Sequence, residues 1–146
     1  MDISFKTGNE KFNYRVCAML ISDSKILAVY HHGESPYYSL PGGRVKMGET
    51  VEQAVLREVQ EELGITPKIS RPLWFDQAFF TKDVDGLRYH ELCLYFLMDI
   101  SDTDLLQRGR VFTQMEGNLA HTFEWIEFDR LKKETFYPAF LKKEIY

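Results

Sequence analysis

The sequence has few cysteines, no long apolar run and no excess of basic residues, and each absence excludes a class of protein. Cys17 and Cys93 are the only cysteines among the 146 residues, and both lie inside apolar runs. We therefore expect two buried, reduced thiols and a cytoplasmic protein, not a disulfide framework. No run approaches the roughly eighteen apolar residues of a membrane helix, and residues 1–12 lack the apolar core of a secretory signal.

The charge balance excludes a general binder of the nucleic-acid backbone. Lys and Arg number 18 and Asp and Glu number 22, which gives a net charge of −4 without a basic stripe. A polyanionic substrate would need metal ions to overcome this negative field. Apolar residues make up 45% of the chain, and we see no repeat, low-complexity segment or linker. A single globular domain over residues 1–146 is therefore expected.

One helix is clearly marked near the middle of the chain. Thr50 is a favourable N-cap, and Gln53 three residues later completes a capping box. Gly64 stands where helices commonly end in the left-handed conformation. Apolar residues recur at helical spacing between these signals, which predicts one buried side: Val51, Ala54, Val55, Val59 and Leu63.

Three carboxylates of this helix are placed where a solvated face would not put them. Glu58, Glu61 and Glu62 lie at i, i+3 and i+4 and share an arc whose edge overlaps the apolar stripe. Like charges at this spacing repel, and negative charge in the last turn opposes the helix dipole. A multivalent cation such as Mg²⁺ or Mn²⁺ would remove both penalties. Taken alone, the triplet also fits an ordinary charged surface helix.

The residues around the triplet form a longer pattern. Residues 43–65 follow the order G-x5-E-x7-R-E-U-x-E-E-x-G-U, in which U is aliphatic. Every fixed position is filled: Gly43, Glu49, Arg57, Glu58, Val59, Glu61, Glu62, Gly64 and Ile65. This pattern, with its Leu40-Pro41-Gly42-Gly43 lead-in, resembles the signature of the Nudix hydrolase family.

The resemblance implies a fold and a reaction. The fold is an α/β/α sandwich, with a mixed β-sheet between helices. The reaction is hydrolysis of the diphosphate linkage in a nucleoside diphosphate joined to a group X, with Mg²⁺ or Mn²⁺ as cofactor. The products are a nucleotide plus phosphorylated X or pyrophosphate. Homodimers are common among such proteins, and the sequence does not show whether this chain forms one.

The resemblance also implies a role for each carboxylate. Glu58, Glu61 and Glu62 are the expected catalytic metal ligands, with Glu62 the firmest. Glu58 could instead accept the proton from the attacking water. Some family members use a carboxylate outside the signature for that step, and Glu116 and Glu124 lie in the right part of the chain, although the sequence selects neither.

Other signature positions are expected to support the carboxylates and the phosphates. Arg57 would orient carboxylates through charge-assisted hydrogen bonds, and Glu49 would pair with this arginine or reach the metal. Backbone groups of Gly42 and Gly43 can face phosphate or metal because glycine allows close approach. Arg44 would contact phosphate or remain a solvated charge.

The remaining chain predicts strands around this helix. Alternating or continuous apolar patterns predict strands over residues 12–21, 26–30, 67–80, 87–100 and 121–128. Residues 102–118 are expected to form a long polar loop. A C-terminal helix is expected over residues 135–146, with Pro138 in its first turn. This pattern independently indicates an α/β layered domain.

Substrate identity is less well defined. Markers that suggest ADP-ribose or diadenosine polyphosphates in the family are absent from residues 75–82, so an ordinary or modified nucleoside triphosphate is the leading expectation. An RNA 5′ end lacks support from a basic patch. Two other classes stay open: a nucleotide-sensing module that hydrolyses nothing, and an acidic surface that docks a basic protein.

Overall fold

The computed structural model describes residues 1–144 and contains eleven strands and three short or medium α-helices. The strands are β1 (Ser4–Thr7), β2 (Glu10–Met19), β3 (Ile21–Ser22), β4 (Lys25–His31), β5 (Tyr37–Ser39), β6 (Gly42–Arg44), β7 (Lys68–Thr81), β8 (Arg88–Asp99), β9 (Val111–Glu116), β10 (Leu119–Glu127) and β11 (Phe136–Tyr137). The helices are α1 (Val51–Leu63), α2 (Phe128–Leu131) and α3 (Leu141–Glu144), and a 3₁₀ helix spans Leu105–Arg108.

The strands form two mixed sheets. The first has the order β1-β2-β8-β7, with β6 paired to β2, and its β2–β8 pair is parallel. The second has the order β11-β5-β4-β10-β9, with β3 paired to β4. The predicted α/β class is confirmed, although the strands divide between two sheets instead of forming one.

Helix α1 has the ends that its sequence predicts. The Thr50 hydroxyl accepts a hydrogen bond from the Gln53 backbone N–H at 3.1 Å, and the Gln53 side chain accepts one from the Thr50 N–H at 2.9 Å. Gly64 ends the helix at φ 68°, in the left-handed conformation. Ala54, Val55, Val59 and Leu63 are fully buried against the first sheet and β10. The apolar stripe therefore fixes which side of α1 faces the core.

An arginine outside the helix stabilises its acidic end. Arg108 donates a hydrogen bond to the carbonyl oxygen of Leu63 at 2.6 Å and another to Gln114 at 3.0 Å. A cation at the carboxyl end is favourable because the last carbonyls of a helix are unpaired and partly negative. The unfavourable charge of the last turn is thus partly offset by a residue that is distant in sequence.

The prediction of a long loop over residues 102–118 is wrong. It contains the 3₁₀ helix and strand β9, which pairs with β10 through a turn at Gly117. Burial alternates between exposed and half-buried along β9, the pattern of an edge strand with one covered face. The sequence did not indicate this strand because polarity does not follow burial along it: Val111 and Met115 are exposed, whereas Gln114 and Glu116 are half-buried.

The prediction of a C-terminal helix that begins at residue 135 is also wrong. Residues Phe136–Tyr137 form β11, which pairs in parallel with β5, and helical structure begins only at Leu141. A residue that precedes proline is disfavoured in the helical region, so Tyr137 before Pro138 resists helix. The end of the expected helix, residues 145–146, lies outside the described residues.

Two further expectations have structural counterparts. Cys17 and Cys93 are both free and buried, with their sulfur atoms 3.5 Å apart. Among the described residues, no helix has the length and apolar character needed to cross a membrane.

Candidate active site

The carboxylates of α1 lie directly over strand β6. The backbone N–H of Gly42 donates a hydrogen bond to the Glu62 carboxylate at 3.3 Å. A Cβ added at Gly43 would lie 2.4 Å from the Glu58 carboxyl carbon, which is far inside van der Waals contact. The glycine at position 43 therefore provides the space in which the Glu58 carboxylate sits.

Arg57 joins the helix to the chain that precedes it. Its guanidinium binds both carboxylate oxygens of Glu49, at 2.6 and 2.9 Å, in a bidentate pair. It also donates to Glu58 at 2.9 Å and lies 3.3 Å from Glu61. A further N–H donates to the carbonyl of Arg44 at 3.0 Å. Arg57 thus uses its full set of donors to orient carboxylates and to hold β6 against α1.

Glu49 has a supporting role in this geometry. Besides Arg57, it accepts the backbone N–H of Lys46 at 2.9 Å. The hydrogen bond from Arg57 lowers the pKa of Glu49 to about 2, although burial opposes the shift. Since both oxygens already accept hydrogen bonds, Glu49 fits the arginine-pairing alternative better than the metal-reaching one.

The carboxylates of Glu58 and Glu62 are unusually costly to ionise. Burial, followed by the charge of Glu58, raises the pKa of Glu62 to about 8. Burial also raises the pKa of Glu58, against the opposing effect of Arg57. No Lys, Arg or His nitrogen within residues 1–144 lies in ion-pair distance of Glu62. Glu62 is therefore a carboxyl group whose charge no described side chain neutralises, whereas Glu58 and Glu61 share Arg57.

The structure distinguishes the two carboxylates that the sequence could not rank. Glu124 is fully engaged: it accepts hydrogen bonds from Tyr38 at 2.9 Å, from Arg110 at 3.0 Å and from Arg130. Although burial alone would raise it, the hydrogen bonds from Arg130 and Tyr38 lower the pKa of Glu124. This network ties β10 to β5 and α2 and leaves the carboxylate little freedom to act on substrate.

Glu116 occupies a different position, at the end of β9 beside the helix carboxylates. Its charge raises the pKa of both Glu58 and Glu62, which places it within electrostatic reach of them. Within the described part of the chain, the hydrogen-bond partner of its carboxylate is the imidazole of His121, at 3.0 Å. The turn at Gly117, which returns β9 to β10, is the sequence feature that could have indicated this position.

Arg44 lies at the border of the site. Its guanidinium is 3.6 Å from the Asp2 carboxylate and about a third exposed. Its backbone carbonyl, as noted, is held by Arg57. The side chain therefore remains partly available at the end of β6, where the sequence expects phosphate.

The donor set fits a hard divalent cation. Carboxylate oxygens of Glu58 and Glu62, with Glu61 and Glu116 nearby, are the ligands that Mg²⁺ and Mn²⁺ prefer. In the described residues no three His, Cys, Asp or Glu side chains already converge on one point. One or two protein carboxylates suffice for Mg²⁺, which keeps waters and binds substrate phosphates as its other ligands.

Comparison with known proteins finds a family model that matches most of the chain. A model described as the NUDIX domain matches residues 11–143. An ADP-ribose pyrophosphatase of Methanocaldococcus jannaschii is 32% identical over 124 residues, which cover 83% of this chain and 65% of that protein. A NAD-capped RNA hydrolase of Klebsiella pneumoniae is 29% identical over 121 residues, 80% of this chain and 39% of that protein. The chain thus spans less than two thirds of the length of both relatives.

Solved structures give the same fold. The MutT NUDIX hydrolase from Burkholderia pseudomallei superposes with a TM-score of 0.60 at 23% identity, covering 92% of this chain and 98% of that chain. The E. coli ORF135 protein superposes with a TM-score of 0.59 at 21% identity, covering 97% and 91%. At these identities the likeness shows the fold alone.

Proposed function

Because the chain belongs to the Nudix hydrolase family, we propose that it is a metal-dependent pyrophosphohydrolase of nucleoside diphosphate derivatives. The observation that carries this proposal is the half-buried Glu62 carboxyl group, which the Gly42 N–H binds and which has no cation partner among residues 1–144, beside Glu58, which shares the guanidinium of Arg57. Concentrated buried carboxylates are unfavourable for folding alone, and they favour a divalent cation.

In the proposed reaction, water attacks one phosphorus of the diphosphate linkage in line with the leaving oxygen. The P–O bond to that oxygen breaks, giving a nucleotide and phosphorylated X, or pyrophosphate when X is a phosphate. A divalent cation held by Glu58, Glu61 and Glu62 would neutralise phosphoryl oxygens and lower the pKa of the attacking water. Arg57 and Glu49 keep the carboxylates in place, and Arg44 lies where it can bind a phosphate.

We assign acceptance of the water proton to Glu116. Glu58 is bonded to Arg57 and Glu62 to the Gly42 amide, whereas among residues 1–144 the Glu116 carboxylate has one hydrogen-bond partner, His121. The three hydrogen-bonded partners of Glu124 argue against this role for it. An ordinary or modified nucleoside triphosphate is the proposed substrate, because residues 75–82 lack the family markers for ADP-ribose and diadenosine polyphosphates.

The test is product release from a panel of nucleotides, with Mg²⁺ and with chelator, followed by chromatography. The panel includes nucleoside triphosphates, ADP-ribose, dinucleoside polyphosphates and nucleotide sugars. We expect metal-dependent cleavage of nucleoside triphosphates, and an activity loss of at least about a hundredfold in Glu116→Gln. The matched control is Glu127→Gln, an exposed glutamate on the same hairpin.

The alternatives give different results in the same assay. Nucleotide binding without cleavage anywhere in the panel would contradict the enzyme and favour a sensing module. Cleavage that persists with chelator would contradict the metal role of the α1 carboxylates. Retained activity in Glu116→Gln would exclude that residue as the base.

A further inference from the structure

Strand β7 forms one border of the first sheet, and no strand within residues 1–144 pairs with its outer side. The first part of β7 is protected against such pairing. Pro72 has no N–H to donate, and register shifts between Ile69 and Arg71 and between Pro72 and Trp74 bend the strand. Residues 74–81 then pair with β8 without a further shift. We call residues 74–81 the edge segment, and a regular, unprotected edge of this kind can accept another strand.

The edge segment is apolar and exposed to solvent. Asp76 is its one charged residue, whereas four of its eight residues are aromatic. Phe75, Phe79 and Phe80 expose 57%, 68% and 38% of their surface. Natural proteins commonly prevent pairing at free edges with charged side chains, above all lysine. The edge segment lacks this protection, so its rings and backbone groups favour a partner strand.

An aromatic row crosses the first sheet and ends at the edge segment. Strand register places Phe5 opposite Phe12, Phe12 opposite His90, and His90 opposite Phe79. The ring centroids are 5.3 Å apart for Phe5–Phe12, 5.7 Å for Phe12–His90 and 4.3 Å for Phe79–His90. Each ring therefore contacts the next, and the row ends at Phe79 because the sheet ends there. An added strand with a ring at the matching position would extend the row.

The edge segment is complementary to a second copy of itself. When two identical strands pair in antiparallel orientation about a two-fold axis, one residue lies on the axis and faces its own copy. With Gln77 on the axis, Phe75 lies opposite Phe79 of the second copy, and Trp74 lies opposite Phe80 of the second copy. Symmetry produces each pairing twice. Cross-strand aromatic pairs of this kind are favourable, so the interface matches rings with rings.

The neighbouring registers match less well. With Asp76 on the axis, two carboxylates face each other directly, which is destabilising. With Ala78 on the axis, Asp76 lies opposite Phe80 of the second copy and Gln77 lies opposite Phe79 of the second copy. Polar groups then face aromatic rings. The register centred on Gln77 is therefore the most favourable of the three.

We propose that the protein forms a homodimer in which the edge segments of two copies pair in antiparallel orientation about Gln77. The two first sheets then become one continuous sheet, and the aromatic row continues from Phe79 onto Phe75 of the second copy. The edge segment is much shorter than the about 20–30 residues a side of a standard interface, so we expect a dissociation constant on the order of micromolar. The dimer does not depend on the proposed hydrolase function, because α1 and β6 take no part in it.

Sedimentation equilibrium of the whole protein, from about 1 to 200 µM chain, tests the dimer. We expect wild type to show a monomer–dimer equilibrium. Gln77→Lys places two ammonium groups on the axis and should raise the dissociation constant by at least about tenfold. The Gln77 side chain is exposed, so this change should leave the fold intact. The matched control is Gln107→Lys, the same change at an exposed glutamine of the 3₁₀ helix, which should leave the dissociation constant unchanged.

A mixing experiment tests the register. Gln77→Glu should weaken the dimer as Gln77→Lys does, since either change places like charges on the axis. An equimolar mixture of the two variants pairs opposite charges there. We therefore expect the mixture to form a heterodimer with a dissociation constant within about threefold of the wild-type value.

Three results would overturn the proposal. A protein that stays monomeric over the whole concentration range would exclude a second copy as the partner of the edge segment. A dimer that Gln77→Lys does not weaken would have its interface elsewhere. Variants that both lose the dimer and do not recover it on mixing would contradict the register centred on Gln77.

Hydrogen exchange at low and high protein concentration provides an independent measurement. Backbone amides of residues 74–81 should gain protection as the concentration rises, because pairing engages the groups on the outer side of β7. Amides of β1, at the other border of the sheet, should not. Protection gained at β1 and not in the edge segment would assign the dimer to that border and overturn the proposal.

Discussion

The two adjacent glycines of β6 face different obstacles, so alanine should have different effects at them. A Cβ at Gly43 would meet the flexible Glu58 carboxylate, whereas a Cβ at Gly42 would lie 2.2 Å from the backbone oxygen of Val16. We expect Gly43→Ala to displace Glu58 and lower kcat by about a hundredfold while barely changing the melting temperature. Gly42→Ala should lower the free energy of unfolding by about 1–3 kcal/mol because backbone must move.

Steady-state kinetics and thermal melts of both variants check this pair. Full activity in Gly43→Ala would show that the Glu58 carboxylate can move without consequence. A larger loss of stability in Gly43→Ala than in Gly42→Ala would mean that the glycine serves packing and not the carboxylate.

Glu62 should stabilise the protein when metal is bound and destabilise it when metal is absent. Its folded-state pKa of about 8 lies above the ordinary value of 4.5, so the unfolded chain releases this proton first as the pH rises. The metal-free fold should therefore lose stability between about pH 4.5 and pH 8. We expect Glu62→Gln to melt at a higher temperature than wild type at pH 8 in chelator. Its turnover should fall by orders of magnitude.

The matched control for this prediction is Glu52→Gln, an exposed glutamate in the first turn of α1. Melting curves from pH 4.5 to pH 8 and initial rates are the measurements. A Glu62→Gln protein that is less stable than wild type at pH 8 in chelator would show that the ionised Glu62 carboxylate does not destabilise the metal-free fold.

At this scale, the sequence predicted residues whose partners are close in the chain. Arg57 with Glu49, and the arc of Glu58 and Glu62, follow from helical spacing and the family pattern. Sequence could not rank Glu116 against Glu124, because the difference arises from partners that the fold brings together. Arg110 just before β9, Arg130 of α2 and Tyr38 of β5 all bind Glu124 once β10 lies between β4 and β9.

At the scale of elements, the carboxyl end of α1 depends on a distant arginine. Arg108 satisfies the Leu63 carbonyl and is itself mostly covered, with a fifth of its side chain exposed. We expect Arg108→Gln to lower the free energy of unfolding by about 1–3 kcal/mol, since hydrogen bonds to charged groups contribute about that much. The measurement is chemical denaturation, and the control is Arg71→Gln, which replaces an exposed arginine on β7.

The effect should extend from stability to function. Glu62 lies in the last turn of α1, so fraying of that turn would also loosen the carboxylate, and kcat should fall more than KM rises. A stability equal to that of Arg71→Gln would show that the Arg108 hydrogen bond is replaced by water at no cost.

Elements were predictable where local signals agree. The capping box and Gly64 marked both ends of α1 because capping is decided within four residues. β9 and β11 were missed because each is a short strand that depends on pairing with a neighbour, β10 for the first and β5 for the second. A polar edge strand and a two-residue parallel pair carry little local pattern.

For the whole molecule, the two sheets place α1 so that its apolar side is covered while its carboxylates reach β6 and approach β9. Half-buried carboxylates with raised pKa values are expected to lower the stability of the metal-free protein when they ionise. A cation that binds only the native state stabilises it by RT ln(1 + [L]/Kd), about 2.7 kcal/mol at a hundredfold excess over Kd. We therefore expect Mg²⁺ to raise the melting temperature by roughly 5–10 °C under those conditions.

The shift should grow with the logarithm of Mg²⁺ concentration and be reversed by chelator. It should persist in Glu52→Gln and nearly vanish in Glu58→Gln and Glu62→Gln, because these remove the proposed ligands but leave the fold. Equal shifts in all four proteins would assign the stabilisation to ions elsewhere on the negatively charged surface. Such a result would show that the signature carboxylates do not bind the stabilising metal. It would therefore contradict the proposed role of α1 in catalysis.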